Sequence, residues 1–258
     1  MVSTAKIIAM FVPIIFSFVL FIGLILFYRK RTGVSAKPVI LGAVGFIVFT
    51  QVLEKILHVV VITSFPNYAD HPLAWGTYGA LAAGLFEELG RFILFTWLLK
   101  KFHDYKGGIS FGIGWGGIEA ILLMLVVCGQ ALVFSFMLNA GTFESSMVQL
   151  PSDQVAAIKE GILSQGIDFY YFAILERFLA VFMQMAFSLL VLLGVTKKKF
   201  SYVILAVLIH AGVDFPIIFA QVGKITNLWI IEGYLAVIAV FSIIFIKKSK
   251  TMFTDDAK

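Results

Sequence analysis

Three short stretches place ionisable side chains inside otherwise apolar runs. They are Glu87-Glu88-Leu89-Gly90-Arg91, Trp115-Gly116-Gly117-Ile118-Glu119 and His210-Ala211-Gly212-Val213-Asp214. An ionised group at the centre of a bilayer costs roughly 2.5–3.5 kcal/mol on insertion scales, so each of these residues needs a partner, a wet cavity or a bound ion. Their spacings are those of side chains that meet on a helix. Glu87 and Arg91 are i,i+4, Glu88 and Arg91 are i,i+3, and His210 and Asp214 are i,i+4. Four acids and one imidazole suit two chemistries. In hydrolysis a carboxylate takes a proton from water while an imidazole, or a metal that it holds, polarises the water or the substrate carbonyl. In translocation the same groups pass an ion or proton across the membrane midplane. A polar network that only fixes helix packing is the third reading, and the excess of acids over bases argues against it.

The elements that must position these residues follow from hydropathy. With 258 residues, 60% of them apolar and 14% charged, the chain falls outside soluble compositions. Runs of about 20 apolar residues recur, the length that a membrane-crossing helix requires. We expect an all-α polytopic membrane protein with about seven crossings at 7–28, 38–64, 75–99, 108–138, 167–195, 200–222 and 227–246. The whole chain, 1–258, reads as a single membrane domain whose polar core comes from about 75–220. The first apolar run is followed by Arg29-Lys30-Arg31, the reverse of a signal peptide's charge order, so it is expected to stay as a membrane helix. Fourteen of the twenty Lys and Arg residues, from Arg29 to Lys258, fall in connections on one side, and only Lys6, Lys159 and Lys224 fall on the other. This places the amino terminus outside and the carboxyl terminus in the cytosol; the expected location is a cell membrane of bacterial type. The basic residues sit in short clusters between apolar runs and do not form a nucleic-acid footprint. Cys128 is the only cysteine, which excludes an intrachain disulfide and a cysteine zinc site. The 27 phenylalanines read as lipid-facing bulk.

Depth links the three stretches. Glu87 and Glu88 precede Lys100 by 13 and 12 residues, Glu119 follows Lys106 by 13, and His210 and Asp214 follow Lys199 by 11 and 15. At 1.5 Å per residue, all lie roughly 16–22 Å from the basic edge. A second set, Glu54 with His58 and Glu176 with Arg177, lies further out, where Lys55 and Arg177 are expected to snorkel. Ala80, Ala83 and Gly84, and then Gly112 and Gly116, form small-residue stripes beside the acids; they admit close helix packing or a gap through which water reaches the site. Pro151-Ser152-Asp153 predicts a capped amphipathic helix over 154–163, lying on the outer surface.

The three motifs, in this order, resemble those of the CAAX-protease and PrsW-like intramembrane protease superfamily, and the plan is most similar to its YhfC-type branch of intramembrane metalloproteases. The resemblance implies that Glu87 or Glu88 is the general base and that Arg91 orients the pair. It also implies that Glu119 stands at a ligand position and that His210 and Asp214 are ligands or oxyanion stabilisers; the three would hold a divalent metal such as zinc if one is bound. Two residues separate Glu88 from Arg91 where the CAAX branch commonly has three, and the second motif ends in glutamate where that branch has histidine. Both differences point away from prenyl-protein processing. The expected activity is hydrolysis of a peptide bond in a membrane protein or membrane-associated peptide. Two rivals stay open: a proton- or ion-coupled transporter, which predicts an internal repeat, and a non-enzymatic immunity or assembly factor. Oligomeric state has no signature in the sequence.

Overall fold

A computed structural model describes residues 1–221, 223–225 and 227–254. Lys258 and the last residue of the expected 200–222 crossing lie outside them. The described residues form helices and no strands. The long helices are α1 (Thr4–Arg31), α2 (Ala36–Ser64), α3 (Pro72–Trp97) and α4 (Tyr105–Ala140). After the short surface helix α5 (Ser152–Ser164) come α6 (Asp168–Thr196), α7 (Ser201–Gln221) and α8 (Leu228–Thr254). Among the described residues six helices are long and apolar enough to cross a membrane. The seventh expected crossing, α3, has 26 residues and therefore the length, but Glu87, Glu88 and Arg91 lower its hydropathy. All three charged side chains are buried within the protein. Two crossings contain π-helical segments, Ile47–Glu54 in α2 and Leu125–Gly129 in α4, a geometry common at functional sites.

Two compact units emerge, each built from separated pieces of chain. One comprises Met1–Leu20 and Ala120–Phe178. Its core packs Met10, Met124, Cys128 and Tyr170 together. Asn139 brackets the amino terminus, accepting from the Val2 amide at 2.7 Å and donating to the Val2 carbonyl at 2.9 Å. Lys6 is buried and donates to the carbonyls of Ile162 (2.6 Å) and Leu163 (3.2 Å), which the end of α5 would otherwise leave without partners. The expected helix after Pro151 is present as α5, without a side-chain cap. Pro151 itself occupies the capping position, and Asp153 lies in the first turn, where its charge favours the helix dipole.

The second unit comprises Phe21–Glu119 and the chain from Leu179 onward. Here α3 packs most extensively against α7. At Gly84 a Cβ would meet the Val207 carbonyl oxygen at 2.8 Å, so only glycine lets the two backbones come this close. The Gly112 and Gly116 stripe of α4 lies against Met185, Gln184 and Val181 of α6. Both stripes are therefore filled by neighbouring helices, and the water gap considered from the sequence is closed there. Pro216 sits inside α7 without ending it. The ring removes the amide that would bond the carbonyl four residues earlier, and the Tyr234 hydroxyl donates to that Gly212 carbonyl at 3.2 Å. The phenylalanines divide: Phe95 and Phe111 are fully buried here, as is Phe143 in the first unit, while Phe241 is exposed on α8.

Candidate active site

The site grows outward from Arg91, a guanidinium with no solvent exposure in the middle of a helix of spanning length. Its Nη1 donates to Glu88 Oε1, one turn earlier. Its Nη2 donates to Glu87 Oε2 at 2.9 Å and to the amide oxygen of Gln184 on α6. The face of Trp115 lies 4.5 Å from the guanidinium carbon, a cation–π contact made stronger by the absence of water. The indole Nε1 of the same tryptophan donates to Glu87 Oε2 at 2.9 Å. One aromatic side chain therefore holds both members of the ion pair.

His210 enters from α7, where the glycine contact at position 84 brings the helices together. Its Nδ1 lies 2.6 Å from Glu88 Oε1. An ionised carboxylate only accepts, so this bond puts the imidazole proton on Nδ1. Nε2, on the other side of the ring, faces two further carboxylates. Asp214 Oδ2 lies 3.4 Å from Nε2, and Glu87 Oε1 lies 4.0 Å from it. Phe187 of α6 stacks on the imidazole, with ring centroids 4.6 Å apart and planes 5° from parallel. Glu88 is wholly buried, and its second oxygen, Oε2, has no hydrogen-bond partner among the described residues. Asp214 is the most accessible member, with a quarter of its side chain exposed.

Glu119 joins the network through Gln184, whose Nε2 donates to Glu119 Oε2. Glu87, Glu88, Arg91, Glu119, His210 and Asp214 thus belong to one connected polar cluster, with Gln184 as the bridge to Glu119. Gln184 was not singled out in the sequence, although a signal existed. It precedes Lys197 by 13 residues, roughly the 20 Å depth of the other members.

The outer residues form separate groups. Glu54 ends the π-helical segment of α2, and its Oε1 lies 3.2 Å from His58 Nε2. His58 Nδ1 lies 2.7 Å from the Tyr78 hydroxyl, beside Trp75. Glu176 and Arg177 pair with each other in the first unit. Arg177 is buried, and its guanidinium bonds Glu176.

The donor set can be compared with what a catalytic zinc needs. Three ligands at about 2.0–2.1 Å in a tetrahedral arrangement stand about 3.3 Å from one another. The 3.4 Å between His210 Nε2 and Asp214 Oδ2 matches that edge, and the 4.0 Å to Glu87 Oε1 is slightly longer. His210 Nε2 and Asp214 Oδ2 are spaced as two such ligands are, and Glu87 Oε1 stands beyond that spacing. Among the described residues no group of three or more His, Cys, Asp or Glu side chains is placed to hold a metal ion.

The sequence model of the family described as YhfC intramembrane metalloprotease matches residues 16–235. The uncharacterized membrane protein YhfC of Bacillus subtilis (strain 168) is 35% identical over 241 residues, which cover 92% of this chain and 93% of that protein. No solved structure matches the chain. The chain belongs to the YhfC intramembrane metalloprotease family, and with its six apolar helices it is an integral protein of a bacterial membrane.

Proposed function

We propose that this member of the YhfC family hydrolyses a peptide bond of a membrane protein or membrane-associated peptide, with Glu88 as general base. One observation carries the reading. Glu88 Oε1 is fixed by Arg91 and His210, while Oε2 is buried without a hydrogen-bond partner among the described residues and so keeps the capacity to take a proton. In this reading Glu88 removes a proton from the attacking water and later delivers it to the leaving amine. Arg91 holds both carboxylates in place, and Trp115 fixes Arg91 and Glu87 together. Of the ligands expected from the sequence, His210 and Asp214 would hold a divalent ion such as zinc, with Glu87 as the third group in place of Glu119, whose carboxylate is engaged by Gln184. When bound, that ion supplies Lewis-acid polarisation of the scissile carbonyl and acidifies water. Glu119 acts at one remove, fixing the Gln184 amide against Arg91. Substrate and water approach from the side of Asp214, the most accessible member.

The test is to express the wild type, Glu88→Gln and His210→Ala at equal levels in a bacterial host. New amino termini in the membrane proteome are then catalogued by mass spectrometry. Cleavage products should accompany the wild type and be absent with either variant. Equal product sets from all three would overturn the assignment.

A further inference from the structure

At the basic end of the second unit, away from the acidic cluster, the structure contains a cavity of about 740 Å³. Its mouth carries Arg31 from α1 and Lys247 and Lys250 from α8, and no Asp or Glu lines it among the described residues. The Tyr28 and Tyr105 side chains also line it. The Tyr105 hydroxyl donates to the Ile246 carbonyl at 3.0 Å, which ties the start of α4 to α8 at the rim. Arg31 is seated over the Phe27 ring at 4.6 Å, so its guanidinium is held at the mouth. Deeper in, the walls turn apolar, with Leu24, Phe182 and Ile243. Leu24 lies seven residues before Arg31, roughly 10 Å further along the helix from the charged rim.

We propose that this cavity binds an anionic phospholipid. The phosphate sits among Arg31, Lys247 and Lys250, and an acyl chain descends toward Leu24 and Ile243. Three observations select this occupant. The net charge at the rim is positive, with no lining acid among the described residues. The polarity changes from cationic to apolar along the direction in which a lipid lies. The volume falls within the roughly 300–1,000 Å³ of small-molecule sites. Basic pockets between membrane helices recognise phosphate headgroups in this way, each cation adding to the attraction. A free anion would leave the apolar floor unused, and a zwitterionic lipid would bring its own cation to a rim that is already positive. The proposal does not depend on the hydrolytic reading of the acidic cluster.

The test is native mass spectrometry of the full chain in detergent, titrated with dioctanoyl phosphatidylglycerol, dioctanoyl phosphatidylcholine or glycerol 3-phosphate. Phosphatidylglycerol should remain bound at concentrations about tenfold or more below phosphatidylcholine, and the Arg31→Gln/Lys247→Gln/Lys250→Gln variant should lose that preference. A control with the same loss of charge outside the cavity, Lys30→Gln/Lys100→Gln/Lys101→Gln, should keep it. Ile243→Trp leaves the charges intact and fills the slot, so it too should lose phosphatidylglycerol. Equal binding of the two lipids would overturn the proposal, as would glycerol 3-phosphate binding as tightly as phosphatidylglycerol. So would equal loss in the control variant, or full retention by Ile243→Trp.

Discussion

Replacing Arg91 with methionine removes the one cation that two buried carboxylates share while keeping an unbranched side chain of similar reach. In the wild type the guanidinium has no solvent exposure and bonds Glu88, Glu87 and Gln184 while lying against Trp115. Removing one partner of a buried ion pair costs about 3–5 kcal/mol, because the other charge stays buried and uncompensated. Here two charges are left, although protonation of one carboxyl relieves part of the cost. The loss should therefore be about 4 kcal/mol, near a thousandfold in the folding equilibrium at 1.4 kcal/mol per tenfold. Unfolding of the detergent-solubilised protein by titration with sodium dodecyl sulfate measures it. Glu88→Gln placed in the Arg91→Met background should restore about 1 kcal/mol or more, a coupling expected of residues in one network. If Arg91→Met unfolds within about 0.5 kcal/mol of the wild type, as an unimportant surface change would, the shared-cation account is refuted.

Three further outcomes follow from the geometry. Gly84→Ala puts a methyl 2.8 Å from the Val207 carbonyl, so it should destabilise the protein by about 1–3 kcal/mol. Unchanged unfolding would show that α3 and α7 are free to separate there. Gln184→Leu keeps the packing volume but removes the bridge between Arg91 and Glu119, and should cost about 1–3 kcal/mol in the same unfolding assay. Outside the crossings, a hydrogen bond from Lys159 holds the exposed Glu144 carboxyl below the usual carboxylate range, at a distance of 2.5 Å. A depressed folded value means that the tether contributes fully above the unfolded value and is lost as pH falls through the folded one. Carbon-13 titration of Glu144 should therefore shift upward in Lys159→Gln, and an unchanged curve would contradict the contact.

The helices and the common level of the acids were legible because each rests on a local rule, hydropathy over about 20 residues or a rise of 1.5 Å per residue. The i,i+4 relation of Glu87 to Arg91 appears directly as a 2.9 Å bond, since helix geometry fixes it. What was not legible depends on which faces meet. Nothing local states that Phe187 would stack on His210 when so many other phenylalanines are available. The closing of the Gly112 and Gly116 stripe by Val181, Gln184 and Met185 requires the partner helix. The π-helical segment that ends at Glu54 has no composition signal of its own. Gln184 is an intermediate case, because its depth was readable and its bridging role was not.

The most direct measurement is the metal content of the purified chain, determined by mass spectrometry of its ions for the wild type, His210→Ala and Asp214→Asn, each verified as folded. The account predicts about one zinc or similar divalent ion per wild-type chain, and its loss in both variants, because three ligands are the usual minimum for a catalytic site. Equal metal content in all three, or none in a wild type that still cleaves its substrate, would contradict the placement of the ion among His210, Asp214 and Glu87.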